Sequence, residues 1–169
     1  EWKEQAKNEQ WYIGDTYHVA IGQGDILVTP LQVATWTSVF ANGGTLFRPR
    51  LVAATTDTDG RLISNASIDV IGKNIVEPDV IRVVRRALRE TVLSGSARRL
   101  LDLPVTSAAK TGTAEWSSKK DPHSWFTAFA PYDNPEIVVT VLIQEGGEGS
   151  RGALSVAHDF LADYFRLRK

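Results

Sequence analysis

The chain of 169 residues has no cysteine and no methionine. Absence of cysteine rules out disulfides, which fits an extracytoplasmic protein made without them and excludes few other locations. A formal net charge of −1 gives no sign of nucleic-acid or anionic-membrane binding. No apolar run is long enough to cross a bilayer, and the start, Glu1-Trp2-Lys3, does not resemble a signal peptide. Because it also starts without methionine, we expect the chain to be a piece of a longer protein.

The first two thirds of the chain predict helices joined by loops and a hairpin. Residues 1–28 are predicted to be loop-rich because glycines interrupt them. Thr29-Pro30 is typical of a helix start, and the helix over 31–41 has apolar residues on nearly all sides, which predicts burial. A turn at 58–61 predicts a hairpin between 51–56 and 61–64, followed by an amphipathic helix over 78–93.

The last third changes to the alternation expected of strands. Strands are predicted over 106–115, 124–130 and 136–144, and a proline-rich turn joins the second to the third, which makes them antiparallel. A final helix follows the glycine-rich stretch 146–149. The predicted fold class is α+β, with a three-stranded antiparallel sheet packed against helices that include the C-terminal one. At 43% hydrophobic residues, the chain can supply the core of one domain.

The run Lys110-Thr111-Gly112-Thr113 on the first of these strands has side chains suited to an anion. Side chains alternate along a strand, so Thr111 and Thr113 share one face and Lys110 lies on the other. Two hydroxyls at this spacing can donate to one carboxylate, and Gly112 lets a ligand backbone lie close. On an edge strand an extended peptide can add to the sheet, and an N–H near Thr113 can form half of an oxyanion hole. Taken alone, the run also fits a solvated lysine and two strand threonines around a bend-making glycine.

A Lys-Thr-Gly triplet on a strand is also the third of three motifs found in penicillin-reactive serine enzymes. With other stretches in the same order, it makes the chain resemble the carboxy-terminal part of the transpeptidase domain of class B penicillin-binding proteins, most closely the elongation-type penicillin-binding protein 2. The resemblance covers nearly the whole chain and depends on the ordered series, since each member is weak alone. The series is Glu1-Trp2-Lys3, Gly14-Asp15-Thr16, Ile21-Gly22-Gln23-Gly24, Thr29-Pro30-Leu31-Gln32, Ala41-Asn42-Gly43-Gly44, Ala109-Lys110-Thr111-Gly112-Thr113-Ala114-Glu115, His123-Ser124-Trp125-Phe126 and Phe129-Ala130-Pro131.

The resemblance implies a periplasmic D,D-transpeptidase that works through an acyl-serine intermediate and needs no cofactor or metal. By motif match, Lys110, Thr111 and Thr113, with Gly112 between them, would bind the terminal carboxylate of a peptidoglycan stem peptide or a β-lactam. The backbone N–H of Thr113 would supply one oxyanion donor. The second donor would belong to the serine nucleophile.

That serine is not found in a suitable place. In the family, the Ser-x-x-K and Ser-x-Asn motifs and the membrane anchor lie amino-terminal to the segment matched by Glu1. We therefore expect residues 1–169 to be the carboxy-terminal portion of a single transpeptidase domain, inactive by itself. Ser117-Ser118-Lys119-Lys120 has the Ser-x-x-K spacing but is predicted in a polar loop, not on the helix that the motif needs. Tyr132-Asp133-Asn134 mimics the second motif but is flanked by turn prolines.

Further candidates for the site lie just after the triplet. Glu115, Trp116 and His123 are close enough to border a cleft, although a salt bridge, solvent exposure or a structural role also explains them. The loop from Trp116 to Pro122 is a candidate wall or lid, and the glycine-rich stretch 146–149 is another from the far side.

Three features are interpreted as structural. Gln23, between two glycines, is expected to fix a turn before the buried helix. The arginines at 82, 85, 86 and 89 are expected to form a solvated helix face. His18 and His158 have no partner pattern, and no spacing of metal ligands is present.

Other functions remain open at this point. A penicillin-sensing receptor or a serine β-lactamase uses the same triplet, and a non-catalytic folded module is a third reading. The implied partners are the missing amino-terminal part of the protein, a stem peptide or β-lactam, and cell-wall elongation proteins. No nucleic acid is implied, and membrane contact, at the periplasmic face of the inner membrane, would come only through the absent anchor. An incomplete sheet also predicts an exposed edge or apolar face.

Overall fold

The computed structural model describes residues 1–168, which form both helices and antiparallel strands. This is the α+β class expected from the sequence. A 3-10 helix covers Arg98–Asp102. The other elements, in chain order, are α1 (Trp2–Lys7), α2 (Ile13–Ala20), α3 (Pro30–Ala41), β1 (Leu46–Phe47), β2 (Ala54–Thr56), β3 (Leu62–Asn65), β4 (Val70–Gly72), α4 (Pro78–Leu93), β5 (Ala108–Ala114), β6 (His123–Ala130), β7 (Ile137–Ile143) and α5 (Gly152–Arg166).

The central sheet consists of β5, β6 and β7 in that order, all antiparallel. Trp125 in the middle strand lies opposite Gly112 on one side and Leu142 on the other. All three predicted strands are confirmed, with ends that differ by one or two residues. Within the described residues β5 and β7 are the two edges of the sheet, so β5 offers backbone groups that no further strand covers.

Helix α5 covers one face of the sheet and encloses the main core. Strand alternation directs Ala109, Phe126 and Ala128 toward this helix, where they join one buried cluster with Leu154 and Leu161. Phe126 and Leu161 are 1% and 0% exposed. Burial of each such large side chain contributes about 1.5–3 kcal/mol, so this layer is the main source of stability.

Helix α3 covers the other face through a chain of hydroxyl groups. The Thr37 hydroxyl lies 3.0 Å from that of Thr127, which lies 2.8 Å from that of Thr140. The opposite side of α3 is open, with Leu31 56% and Trp36 50% exposed. The expectation that α3 is buried all round was therefore wrong. One side of the helix meets the sheet, and its remaining contacts, with β1 and α4, leave Leu31 and Trp36 about half exposed.

Residues 1–28 contain two short helices, so their assignment as loop was also wrong. The Lys3 Nζ donates to both carboxylate oxygens of Asp15 at 2.9 Å and joins α1 to α2. The N–H of Tyr12 donates to the same carboxylate at 2.8 Å, at the start of α2. These two donors, the backbone N–H first, hold the pKa of Asp15 below its usual value, and Asp15 raises the pKa of Lys3. Helices of this length depend on tertiary contacts, which apolar periodicity does not reveal.

Two of the four arginines on α4 are not solvated, contrary to expectation. Arg85 donates to the last carbonyls of α3 and to the carbonyl of Tyr132, and Arg89 donates to the carbonyl of Ser107 at 2.6 Å. Only Arg82 and Arg86 are exposed. The buried side of α4 therefore includes Arg85 and Arg89, because backbone carbonyls there need hydrogen-bond donors.

His158 on α5 has two partners that the sequence did not indicate. Its Nε2 lies 2.8 Å from Asp102 Oδ1, and its Nδ1 lies 2.8 Å from Asp159 Oδ1. The hydrogen bond with His158 lowers the pKa of Asp159. His158 thus links α5 to the 3-10 helix, across a separation of 56 residues that local patterns cannot show.

The segment between α3 and α4 forms two small antiparallel pairs at the periphery. Strands β2 and β3 form the predicted hairpin in a shorter version, with Gly60 at φ 80° in its turn. Strands β1 and β4 also pair, which the sequence did not indicate. Every residue of β2 and β3 is exposed, so this hairpin adds little to the core.

Candidate functional site

Strand β5 presents the Lys110–Thr113 run at the edge of the sheet with the alternation expected. Thr111 and Thr113 are on the α5 side, where the Thr111 hydroxyl lies 2.7 Å from that of Ser96 and the Gly149 N–H donates to the Thr113 hydroxyl at 3.5 Å. Lys110 is on the other side and is exposed. The structure thus places two hydroxyls and one ammonium group along one short piece of edge strand.

Two backbone carbonyls of this edge are occupied by side chains. Lys110 Nζ donates to the carbonyl of Thr111 at 2.5 Å, and Gln23 Nε2 donates to the carbonyl of Thr113 at 3.2 Å. The backbone N–H and C=O groups of residues i and i+2 point to the same side of a strand, so the carbonyls of Thr111 and Thr113 both face away from β6. The N–H groups of Thr111 and Thr113 therefore point outward as well, which is the orientation that an oxyanion donor and a docking strand require.

A groove of about 840 Å³ runs along this edge. Residues 20–24 and 26–28 form one wall, residues 110–116 form the other, and the groove extends across the sheet as far as Leu142 and Gln144. We call it the edge groove. All seven sequence-predicted site residues line it, namely Lys110, Thr111, Gly112, Thr113, Glu115, Trp116 and His123.

Trp116 and His123 form one end of the edge groove. Their rings stack with centroids 5.1 Å apart, and the Trp116 indole N–H donates to the carbonyl of Asp121 at 3.1 Å. The N–H of Glu145 donates to Nδ1 of His123 at 3.2 Å, which leaves the ring proton on Nε2. Trp116 and His123 both line the groove, and these contacts orient their rings there.

The glycine-rich stretch 146–149 does not line the edge groove, so the prediction that it forms a wall or lid there was wrong. It packs beneath the sheet on the α5 side, where Gly149 lies so close to the strands that a Cβ would be 2.2 Å from the Gly112 carbonyl oxygen. The buried Ser124 hydroxyl accepts from the Ala153 N–H and donates to the Glu148 carbonyl, both at 3.1 Å. Glycine is required here for close packing between the start of α5 and the sheet.

Gln23 lies in the turn expected from its glycine neighbours, and its N–H donates to the carbonyl of His18. Sequence reasoning missed its second contact, because its side chain also reaches the site strand. Its two glycine neighbours were the available signal, because Gly22 at φ 76° and Gly24 at φ 94° form the turn that brings Gln23 to the strand.

The two motif decoys lie outside helices, as expected. Ser117-Ser118-Lys119-Lys120 is in the loop after β5, where the Lys119 N–H donates to the Ser117 hydroxyl at 3.2 Å. Tyr132-Asp133-Asn134 is in the turn between β6 and β7. No cluster of residues able to hold a metal occurs within residues 1–168. In that same range no helix combines the length and apolar character needed to cross a bilayer.

Comparison with known sequences decides the family. The model of the penicillin-binding protein transpeptidase domain matches residues 2–165. The chain belongs to this family. A peptidoglycan D,D-transpeptidase MrdA of Haemophilus influenzae is 33% identical over 99% of the chain, and one of Acinetobacter baumannii is 32% identical over 100%. The chain spans only 28% and 27% of the length of these two relatives.

Solved structures agree with this transpeptidase-domain assignment. PBP2 of Pseudomonas aeruginosa, solved in complex with WCK 5153, is 30% identical with a TM-score of 0.78, over 96% of the chain and 35% of that protein. PBP2 of Helicobacter pylori is 28% identical with a TM-score of 0.77, over 98% of the chain and 29% of that protein. The expected family, its similarity to penicillin-binding protein 2 and the fold are therefore confirmed.

Proposed function

We propose that the chain is the carboxy-terminal portion of a peptidoglycan D,D-transpeptidase of the elongation type, and that the edge groove binds the end of a stem peptide or a β-lactam. The free edge of β5 carries this proposal, because it combines outward backbone groups with Lys110, Thr111 and Thr113 in one groove. The transpeptidase names of the relatives support the reaction.

The peptide docks as an extended strand along β5. Strand addition uses main-chain hydrogen bonds to alternate residues, here Thr111 and Thr113. Gly112 has no side chain, so the ligand backbone lies close to the strand. The walls at residues 20–24 and 26–28 and at Trp116 keep the ligand in register along the edge.

The terminal carboxylate is recognised by charge and hydroxyl groups. In the free chain Lys110 donates to the neutral carbonyl of Thr111. When the ligand binds, Lys110 leaves this carbonyl and makes a stronger hydrogen bond with the ligand carboxylate. The Thr111 and Thr113 hydroxyls, whose contacts in the free chain are with neutral groups, add donors from the α5 side of the same strand edge.

The reaction needs a serine from the chain segment amino-terminal to residue 1. Its hydroxyl oxygen bonds to the carbonyl carbon of the penultimate D-alanine, the peptide C–N bond breaks, and the terminal D-alanine leaves with the serine proton. An amine of a neighbouring peptidoglycan strand then bonds to the same carbonyl carbon, the ester C–O bond to the serine breaks, and the serine oxygen regains a proton from the amine. The Thr113 N–H donates to the oxyanion in both steps, a contact that is stronger in the transition state than in the substrate.

Cellular location and partners follow from the same proposal. Peptidoglycan cross-linking takes place at the periplasmic face of the inner membrane, where the preceding segment would supply the anchor. The remaining partners proposed are that segment and the cell-wall elongation proteins.

Acylation by a fluorescent penicillin tests carboxylate recognition in the longer protein that carries this chain. Lys110→Ala is expected to lower the acylation rate about 100-fold, because an electrostatic donor to the ligand is lost. Thr113→Val, which keeps the backbone N–H, is expected to lower it about tenfold. Lys73→Ala, exposed beside β4, is the control with an unchanged rate. Equal rates for Lys110→Ala and Lys73→Ala would contradict the proposed role of the triplet.

A further inference from the structure

The hydrogen bond from Gln23 to β5 occupies the acceptor that a docking peptide needs. Gln23 Nε2 donates to the carbonyl of Thr113 at 3.2 Å, and this carbonyl points outward from the edge of the sheet. A peptide N–H that adds to β5 would donate to the same oxygen. The side-chain amide of glutamine has the same donor group as a peptide, so Gln23 stands where the ligand backbone would be.

The backbone of Gln23 is held in place by the end of α2. Its N–H donates to the carbonyl of His18 at 2.9 Å, and the flanking glycines have positive φ, which fixes the turn. Nearby, Lys7 Nζ lies 2.5 Å from Asp25 Oδ1 and ties the same turn to α1. The contact with Thr113 is thus a side-chain contact from a fixed turn, so it opens by rotation about the side-chain bonds alone, a fast motion.

Lys110 and Gln23 together cap the outward carbonyls of Thr111 and Thr113, but they respond to different features of a ligand. A ligand carboxylate draws the Lys110 ammonium away from the Thr111 carbonyl by charge. Gln23 is neutral, so only a competing N–H donor replaces it at Thr113. Unpaired strand edges also promote association between chains, and these caps protect the edge while the groove is empty.

We infer that Gln23 is a displaceable cap on the β5 edge, which competes with the backbone N–H of an incoming acyl-D-alanyl-D-alanine peptide for the Thr113 carbonyl and so selects ligands that supply an N–H donor there. This inference rests on the proposed function, since it assumes that the peptide docks on β5. Gln23 is a specificity-determining residue and takes no part in bond making or breaking.

The chain offers a matched control for Gln23. Gln10 lies outside the edge groove and is exposed, and its side chain makes no hydrogen bond within residues 1–168. Leucine replaces glutamine with similar volume and no donor, so Gln23→Leu removes the cap and Gln10→Leu does not.

The experiment is NMR of the ¹⁵N-labelled longer protein that carries this chain, titrated with diacetyl-L-lysyl-D-alanyl-D-alanine. Without ligand the side-chain NH₂ of Gln23 is expected to exchange with solvent more slowly than that of Gln10, and to lose this protection as ligand is added. Gln23→Leu is expected to bind the peptide about two- to tenfold more tightly than wild type, the range for one net hydrogen bond, with no change for Gln10→Leu.

The outcomes separate the cap from the proposed function. Equal exchange of the two side-chain amides without ligand overturns the cap, whatever the ligand does. The peptide could instead shift the Thr111 and Thr113 amide signals but bind Gln23→Leu no more tightly than wild type. That result also overturns the cap, and it leaves the docking site on β5 in place. If millimolar peptide shifts the Thr111 and Thr113 amide signals in no variant, the proposal that the peptide docks on β5 is wrong, and so is the inferred competition.

Discussion

Residues 97–165 and residues 1–76 bury their apolar side chains very differently. In the first region, the sheet and α5 enclose a cluster that includes Leu100, Phe126 and Leu161, each at most 1% exposed. In the second, only Val39 and Ala41 are buried among the hydrophobic residues, while Leu27 is 92% exposed. Both regions contain many apolar residues, so composition does not explain the difference. A closed core forms only where a helix and a sheet face each other, and the remaining apolar side chains form a surface suited to contact with other chain segments.

The largest expected effect compares leucine in the two regions. Leu161→Ala leaves a cavity at a position with 0% exposure and is expected to lower the free energy of unfolding by about 2–5 kcal/mol. Leu51→Ala, at a position with 100% exposure, should change it by less than about 0.5 kcal/mol. Urea unfolding of both variants measures this. Similar losses would mean that the exposed region has a core of its own.

Glycines give the next contrast. Gly149→Ala places a Cβ 2.2 Å from the Gly112 oxygen and 2.4 Å from the Trp125 oxygen, and overpacking of this kind is expected to cost about 1–3 kcal/mol. Gly14→Ala in α2 meets open space and should stabilise the helix by about 0.5–1 kcal/mol. Thermal unfolding of the two variants should therefore shift in opposite directions. A neutral Gly149→Ala would show that the sheet and the start of α5 are not in close contact.

Arg85 is at the junction of the two regions. Its guanidinium donates to the end of α3 and to Tyr132, a fork that a lysine cannot reproduce. Arg85→Lys is expected to cost about 1–2 kcal/mol in urea unfolding, since partly buried carbonyls lose their donor. Arg86→Lys, one residue along and exposed, should be neutral. Equal losses of stability in the two variants would mean that Arg85 is solvated like Arg86, as expected from the sequence.

The smallest effect concerns the polar link that holds the open region together. Because folding lowers the pKa of Asp15, the contribution of its contacts with Tyr12 and Lys3 is complete above about pH 4 and is lost as the pH falls through the folded pKa. Unfolding temperatures measured from pH 2 to 6 should fall at the acid end. In Asp15→Asn this part of the curve should be flatter. An identical curve for the variant would show that α1 and α2 do not depend on this carboxylate.

The sequence predicted the closed region better than the open one, for physical reasons. The strands around Phe126 carry a period-two pattern because they bury one face. Outside the closed region, α4 was predicted from its period of 3.6 and the start of α3 from its cap, since Thr29 accepts from the Gln32 N–H as its residue type indicates. Helices α1 and α2 depend on the Lys3–Asp15 pair, which joins residues 12 apart and leaves no periodic signal.

The candidate site also has a part that could be predicted from the sequence and a part that could not. The positions of Lys110, Thr111 and Thr113 follow from strand alternation and could be predicted. The contact of Gln23 joins residues 90 apart in sequence, so only the fold reveals it. The same holds for the direction of the 146–149 loop, which depends on how closely Gly149 approaches the sheet.

Labelling with a fluorescent penicillin tests the central claim, that residues 1–169 supply the carboxylate-binding edge of a site whose nucleophile lies in the preceding segment. The chain alone and the chain joined to that segment are treated in parallel, and the labelled peptide is located by mass spectrometry. We predict no covalent label on the chain alone and, in the longer protein, a label on a serine before Glu1. A covalent label on any serine within residues 1–169, Ser117 included, would contradict the account.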